Sequence, residues 1–221
     1  MQKSPFYNDR SNLMRNIKEL IPVIPICAIL VVLMTAAIRD DNAKRVFCQN
    51  NLKKIYRFTL MYEKDHGGLP PVSVPTKPLW KFWPHYIGKY STELRDFACP
   101  SDPRNEPLFA RKRTPLLPEK RIACSYGMNY FLTEHFAKKR GVKPFLANLS
   151  KPSRTILHGD SKGPYMLPER FWTYEQAMRH DNETGFFSFG DGHVARMKQS
   201  DFGKKNAKGV FQSDFSKWHW L

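Results

Sequence analysis

Five side chains supply the donor atoms that metal or acid–base chemistry would need: His158, Asp160, His180, Asp191 and His193. His158 and Asp160 stand two residues apart, as do Asp191 and His193, and alternation along a strand sets such pairs on one face. Gathered together, imidazole nitrogens and carboxylate oxygens of this kind hold zinc or another divalent ion. A metal-dependent hydrolase would require all of them to converge. The local sequence favours plainer roles. Asp191 lies inside Gly190-Asp191-Gly192, a turn, and Asp160 ends a strand, while the histidines serve neighbouring backbone groups. Ser125 and Ser161 have no evident base nearby. No Gly-x-Ser-x-Gly, His-Glu-x-x-His or phosphate-cradling glycine loop occurs. The expectation is no catalysis, no resident metal and no cofactor.

The elements that would position these residues begin with an uncharged run, Leu20 to Ile38. Its length suits a helix crossing a bilayer, which takes about 20 residues. Residues 1–19 are polar and carry Lys3, Arg10, Arg15 and Lys18. No small-x-small cleavage site precedes Arg39, so a retained anchor is expected rather than a secretory signal. Pro22 and Pro25 fall in the first turns of the run, where a missing amide proton costs least. Beyond it, Cys48, Leu52, Ile55, Thr59 and Tyr62 step by four, three, four and three, which places them on one helical face. No glycine precedes Gly67. The spacing predicts one long helix: 20–38 in the membrane, 39–66 packed against a head domain of residues 67–221.

In that head, the proline-rich stretch from Leu69 to Pro78 predicts a loop. Trp80, Phe82, Trp83 and Tyr86 form an aromatic cluster expected to pack on the helix rather than stack bases. Short strands are predicted at Phe97-Ala98-Cys99, within Ile122–Leu132, and over Ser153–Ser161. Glu169–His180 reads as a short helix or an irregular connection. Phe186–Phe189, Gly190-Asp191-Gly192 and His193–Met197 read as strand, tight turn and strand. The fold class is α+β, a long amino-terminal helix on a small antiparallel sheet.

The chain has 221 residues and a formal net charge of +16, with a sequence pI of about 9.8. Such a surface attracts polyanions, including DNA and anionic lipid headgroups. Cys27 lies in the apolar run. Cys48, Cys99 and Cys124 are the disulfide candidates; no Cys-x-x-Cys pair suggests a zinc cluster. Outside the cytoplasm one disulfide with one remaining thiol is expected, and spacing leaves the pairing open. Arg39, Lys44, Arg45, Lys53, Lys54 and Arg57 follow the apolar run, and the positive-inside rule alone would keep the head in the cytoplasm.

Six stretches, in order, resemble a bacterial family of type IV pilin-like proteins, relatives of the type II secretion pseudopilins that carry a carboxy-terminal His, nine residues, then Asp-Gly. They are Glu19-Leu20 with the apolar run; Cys48-Gln49-Asn50-Asn51-Leu52-Lys53; Cys99-Pro100-Ser101-Asp102; Ser125-Tyr126-Gly127-Met128-Asn129; Pro152-Ser153-Arg154-Thr155-Ile156-Leu157; and His180 ahead of Asp191-Gly192. The resemblance implies a single-pass protein of the bacterial inner membrane, amino terminus in the cytoplasm and head in the periplasm. It implies a structural role in a secretion or pilus-type assembly, with the bilayer and other pilin-like subunits as partners. Cys48 and Cys99 match positions where the family often has cysteine, so Cys48–Cys99 is the implied pair and Cys99–Cys124 its competitor. The chain departs from the pattern twice. No glycine stands at the processing site before Arg15, so cleavage by the prepilin peptidase, and the assembly role of Glu19 that depends on it, are not expected. Ten residues rather than nine separate His180 from Asp191. The alternative is an anchored module whose basic head binds DNA or another polyanion.

Overall fold

In a computed structural model, the described residues are 23–75, 80–102, 124–132, 145–166, 178–180, 184–205 and 211–213. The chain divides into two compact units, Met1–Ala43 and Lys44–Leu221. Helix α1, Val23–His66, is the principal helix, 44 residues long. It stops where Gly67 takes a positive φ of 67° and its amide donates to the Glu63 carbonyl. A glycine in that left-handed position is a common way to end a helix. Among the described residues no helix is long and apolar enough to cross a membrane. The expected span starts at Leu20, outside the described residues, as do Glu19 and the whole of 1–19.

Within the second unit the predicted helical face is where the core forms. Cys48, Leu52, Ile55 and Thr59 are fully buried, and Tyr56, Phe58 and Tyr62 pack around the same cluster. After the helix, β1 (Ser73–Pro75) and β2 (Trp80–Phe82) pair as a two-stranded ribbon. Helix α2, Trp83–Ile87, follows directly. The main sheet is built from β3 Tyr126–Asn129, β4 Ile156–Asp160, β5 Tyr165–Met166, β6 Thr184–Phe189 and β7 Val194–Lys198. Across the sheet these five run in the order β5-β3-β4-β6-β7. Every residue of β3, β4 and β6 is buried, as central strands covered on both faces must be. One cluster holds the helix face with Tyr126, Met128, Leu157 and Phe186. Ile156, Phe187, Phe189, Met197 and Phe202 form the other. Helix and sheet together make the protein α+β.

Several local expectations need correction. The sheet is not wholly antiparallel, because β3 pairs with β5 in parallel. The stretch at Phe97-Ala98-Cys99 is no strand. Leu94–Phe97 is a 3-10 turn, and the carbonyls of Arg95 and Ala98 are spent on the helix rather than on a sheet neighbour. The stretch expected to be a proline-rich loop contains β1. Pro75 is tolerated there because a two-stranded ribbon has only edges. Of Ile122–Leu132 the described residues are 124–132, and among these β3 is the one strand and Tyr130–Leu132 a 3-10 turn. The connection before Met178 lies outside the described residues.

The register of β4 against β6 shifts between Ile156 and His158. A bulge of this kind frees one residue from the alternation. Ile156 therefore joins the far cluster while His158 meets Thr59 on α1. Asn129 caps the irregularity: its amide donates to the Ile156 carbonyl at 2.8 Å, and its oxygen accepts the Phe131 amide.

Candidate functional site

The strongest gathering of polar chemistry is a buried cluster where α1, the 94–102 segment, β4 and His180 meet. Cys48 on α1 is joined to Cys99 by a disulfide, with the α-carbons 5.4 Å apart. One turn further along the helix, Asn51 donates to the carbonyls of Arg95 at 3.1 Å and Ala98 at 2.9 Å. The next residue on that stripe, Lys54, pairs with Asp96 at 2.7 Å. Three contacts spaced by three thus dock the 94–99 segment on one stripe of the helix. Cys124 lies outside the disulfide, buried, its thiol donating to the Tyr126 carbonyl.

Past Cys99 the chain turns at Pro100-Ser101, with the Asp102 amide donating to the Cys99 carbonyl. The turn delivers Asp102 to Arg179, 2.9 Å away, and both side chains are largely buried. Arg179 also donates to the carbonyls of Ser125 and Ser161, so one guanidinium ties together three distant segments. A second carboxylate, Asp160, stands 3.8 Å from the same nitrogen. Its Oδ2 accepts the Phe186 amide at 2.8 Å and lies 3.3 Å from His180 Nε2. His180 is fixed by reciprocal backbone bonds with Thr184, and its Nε2 is 3.5 Å from the Cys99 sulfur. Asp160 Oδ1 and Arg179 Nε are buried and make no hydrogen bond among the described residues. Burial, reinforced by the Asp160 charge, holds the Tyr126 phenol well above its ordinary range. Gly127, beside it, is obligatory: a Cβ there would stand 2.8 Å from Ser161 and 2.9 Å from Met166.

The five candidate donors do not meet at one point. Asp160 and His180 form the pair just described. His158 is elsewhere, fully buried, against the Trp83 ring. Its Nε2 faces the Thr59 hydroxyl, whose own proton goes to the Ile55 carbonyl. Nε2 therefore donates, and Nδ1 is the bare nitrogen, 3.4 Å from the Ser188 hydroxyl, whose one proton is shared between Nδ1 and the His158 carbonyl. Burial lowers the His158 pKa to about 3, so the ring is neutral. Asp191 and His193 sit exposed on the β6–β7 hairpin, 2.6 Å apart, with the His193 ring stacked on Phe189. Partial burial pushes the Asp191 carboxyl up, but hydrogen bonds from the His193 ring and amide outweigh it and lower it overall.

The described residues of the sequence motifs occupy structural posts. Leu52 is core, Asn51 and Asn129 tie down carbonyls, and Asp102 anchors Arg179. Pro100 is exposed, Ser101 half-buried, and Met128 buried in the sheet. Sequence reasoning missed Arg179, although it adjoins His180; its partners are far away in the chain and no local pattern marks it. It also set aside any role for the cysteines beyond pairing. Yet the ligand atoms of Cys48, Cys99 and His180 all lie within 4.8 Å of one another. No protein-family model matches the chain, and neither does any curated protein or solved structure.

Proposed function

We propose that the chain is a membrane-anchored, pilin-like structural protein of the bacterial inner membrane, without enzymatic activity. Its apolar amino-terminal turns root it in lipid, and its basic head works in the periplasm as a component or accessory of a secretion or pilus-type assembly. The observation that carries this reading is the run Ile29–Met34. All six large apolar side chains are more than half exposed. Six successive residues cover more than one turn, so the helix there is apolar all round. Water disfavours such a surface and hydrocarbon accepts it. Further along the same helix, Cys48, Leu52 and Ile55 are fully buried. A helix apolar on every side and then apolar on one stripe suits an anchor that continues into a domain.

The test is fractionation of cells expressing the full chain, followed by protease treatment of spheroplasts. The expected result is a pellet that resists alkaline carbonate and a head that external protease removes. Recovery in the carbonate supernatant, or a head protected until the membrane is broken, overturns the reading. The net charge of +16 favours a second reading, a polyanion-binding head. Retention on DNA or heparin that collapses steeply with salt would support it.

A further inference from the structure

We infer that Cys48, Cys99 and His180 form a thiol-gated metal site: oxidised, the two cysteines are a disulfide, and reduced, they hold zinc together with His180. The inference concerns the second unit alone and is independent of how the chain is anchored.

The geometry is already close to a zinc site on one side. Zinc–sulfur and zinc–nitrogen bonds of about 2.3 and 2.05 Å at tetrahedral angles place sulfur and nitrogen about 3.6 Å apart. Cys99 Sγ and His180 Nε2 are 3.5 Å apart. Asp160 Oδ2 lies 3.3 Å from the same nitrogen, a neighbour of the His180 ring rather than one of the three gathered ligands. The two sulfurs must move from bonding distance to about 3.8 Å. With α-carbons 5.4 Å apart, rotation of the cysteine side chains can supply that. Two thiolates and an imidazole are the donors zinc prefers over harder divalent ions.

Charge allows a metal once the bond is broken. The surrounding cluster sets Asp102 and Asp160 against Arg179. Two bare thiolates would add two negative charges to a buried place that already holds two carboxylates, so without a metal the reduced pair rests as neutral thiols. A zinc ion with two thiolates adds none, so the cluster carries the same charge as with the disulfide. Reduction by a dithiol delivers two electrons and two protons to the Cys48–Cys99 bond, giving two thiols, while the dithiol closes to its own disulfide. Zinc then displaces both thiol protons to solvent and takes the lone pair of His180 Nε2, any proton on that nitrogen also leaving to solvent.

The test uses the full chain in detergent micelles, reduced with a phosphine, desalted without oxygen and titrated with Co2+ and then Zn2+. The expected result is the thiolate-to-cobalt charge-transfer band with the visible bands of tetrahedral cobalt. Zinc then displaces the cobalt at about one ion per chain. The unreduced protein gives neither. C124S keeps the signal, C48S and C99S lose it, and H180A binds at least about tenfold more weakly. A mass two units low in unreduced H180A shows that its cysteines still pair. If reduced wild-type protein shows no tetrahedral bands, or if C124S loses them while C48S keeps them, the site does not exist. Wild type and C124S decide between these outcomes even if H180A fails to fold.

Discussion

The ring of Tyr56 covers Gly192. A Cβ on that glycine would lie 2.5 Å from the ring, and Gly192 has a positive φ of 89°. The Tyr56 hydroxyl also donates to the Gly190 carbonyl at 3.2 Å. The Asp-Gly turn is therefore a foot by which the β6–β7 hairpin stands on α1. Gly192→Ala should cost about 1–3 kcal/mol, part from backbone strain and part from the clash. In a Tyr56→Ala background the clash vanishes and only the strain remains. Urea unfolding of the four proteins should show a smaller glycine penalty without the tyrosine; equal penalties would mean the ring is not what demands glycine.

Asn51 fills its post through geometry that only an amide satisfies. Its nitrogen donates to two carbonyls at the end of a 3-10 turn, and the side chain is buried. Asn51→Ala strands both acceptors and should cost about 1–3 kcal/mol. Asn51→Asp should cost more, since a carboxylate would face two carbonyl oxygens. Denaturant midpoints should fall in that order, and an aspartate as stable as wild type would refute the assignment.

The disulfide closes a loop across a sequence separation of 51 residues. Chain-entropy arguments give a loop of that size about 4 kcal/mol of stabilisation. The double substitution of Cys48 and Cys99 by alanine should lose about that much in guanidinium unfolding. A loss under about 1 kcal/mol would show that the other contacts of the 94–99 segment hold the unfolded chain together nearly as well.

Arg179 is the cation of a buried cluster with two carboxylates. Removing the cation of such a group leaves two buried carboxylates without their guanidinium, a change of about 3–5 kcal/mol. Arg179→Met should therefore be among the most destabilising substitutions in the head. Adding Asp102→Asn should recover part of the loss by deleting one of the two buried negative charges. No recovery in the double variant would show that the carbonyl bonds to Ser125 and Ser161, not the ion pair, carry the role of Arg179.

What sequence reveals here is what is encoded locally. The buried face of α1 was legible because Cys48, Leu52, Ile55 and Thr59 recur at helical spacing. The β6–β7 hairpin was legible because Asp191-Gly192 sits between two apolar runs. The Cys48–Cys99 bridge was one of two pairings left standing, and spacing could not choose between them. The bulge at β4 carries no sequence mark, so nothing announced that Ile156 would turn away from the face that His158 and Asp160 share. The strand expected at Phe97 failed for a related reason. An apolar tripeptide looks extended until one sees that Asn51 and Lys54 take up the groups around it. Arg179 was invisible because Asp102, Ser125 and Ser161 reach it only after folding.

His158 makes the pH behaviour of the head predictable. In the folded protein its pKa is lowered from 6.5 to about 3 by burial, so the neutral ring is the folded form. The unfolded chain takes up a proton below about pH 6.5, and the folded one does not until about pH 3. The unfolded state thus binds more protons throughout that window, and stability falls as pH falls through it. The slope should approach about 1.4 kcal/mol per pH unit well below pH 6.5, and the contribution is fully present above it. His158→Gln keeps a donor for Thr59 and removes the titration. Urea midpoints between pH 7 and pH 4.5 should therefore drop less steeply in the variant than in wild type. Parallel profiles would mean that the acid sensitivity of the head arises from other groups and that His158 can be protonated where it stands.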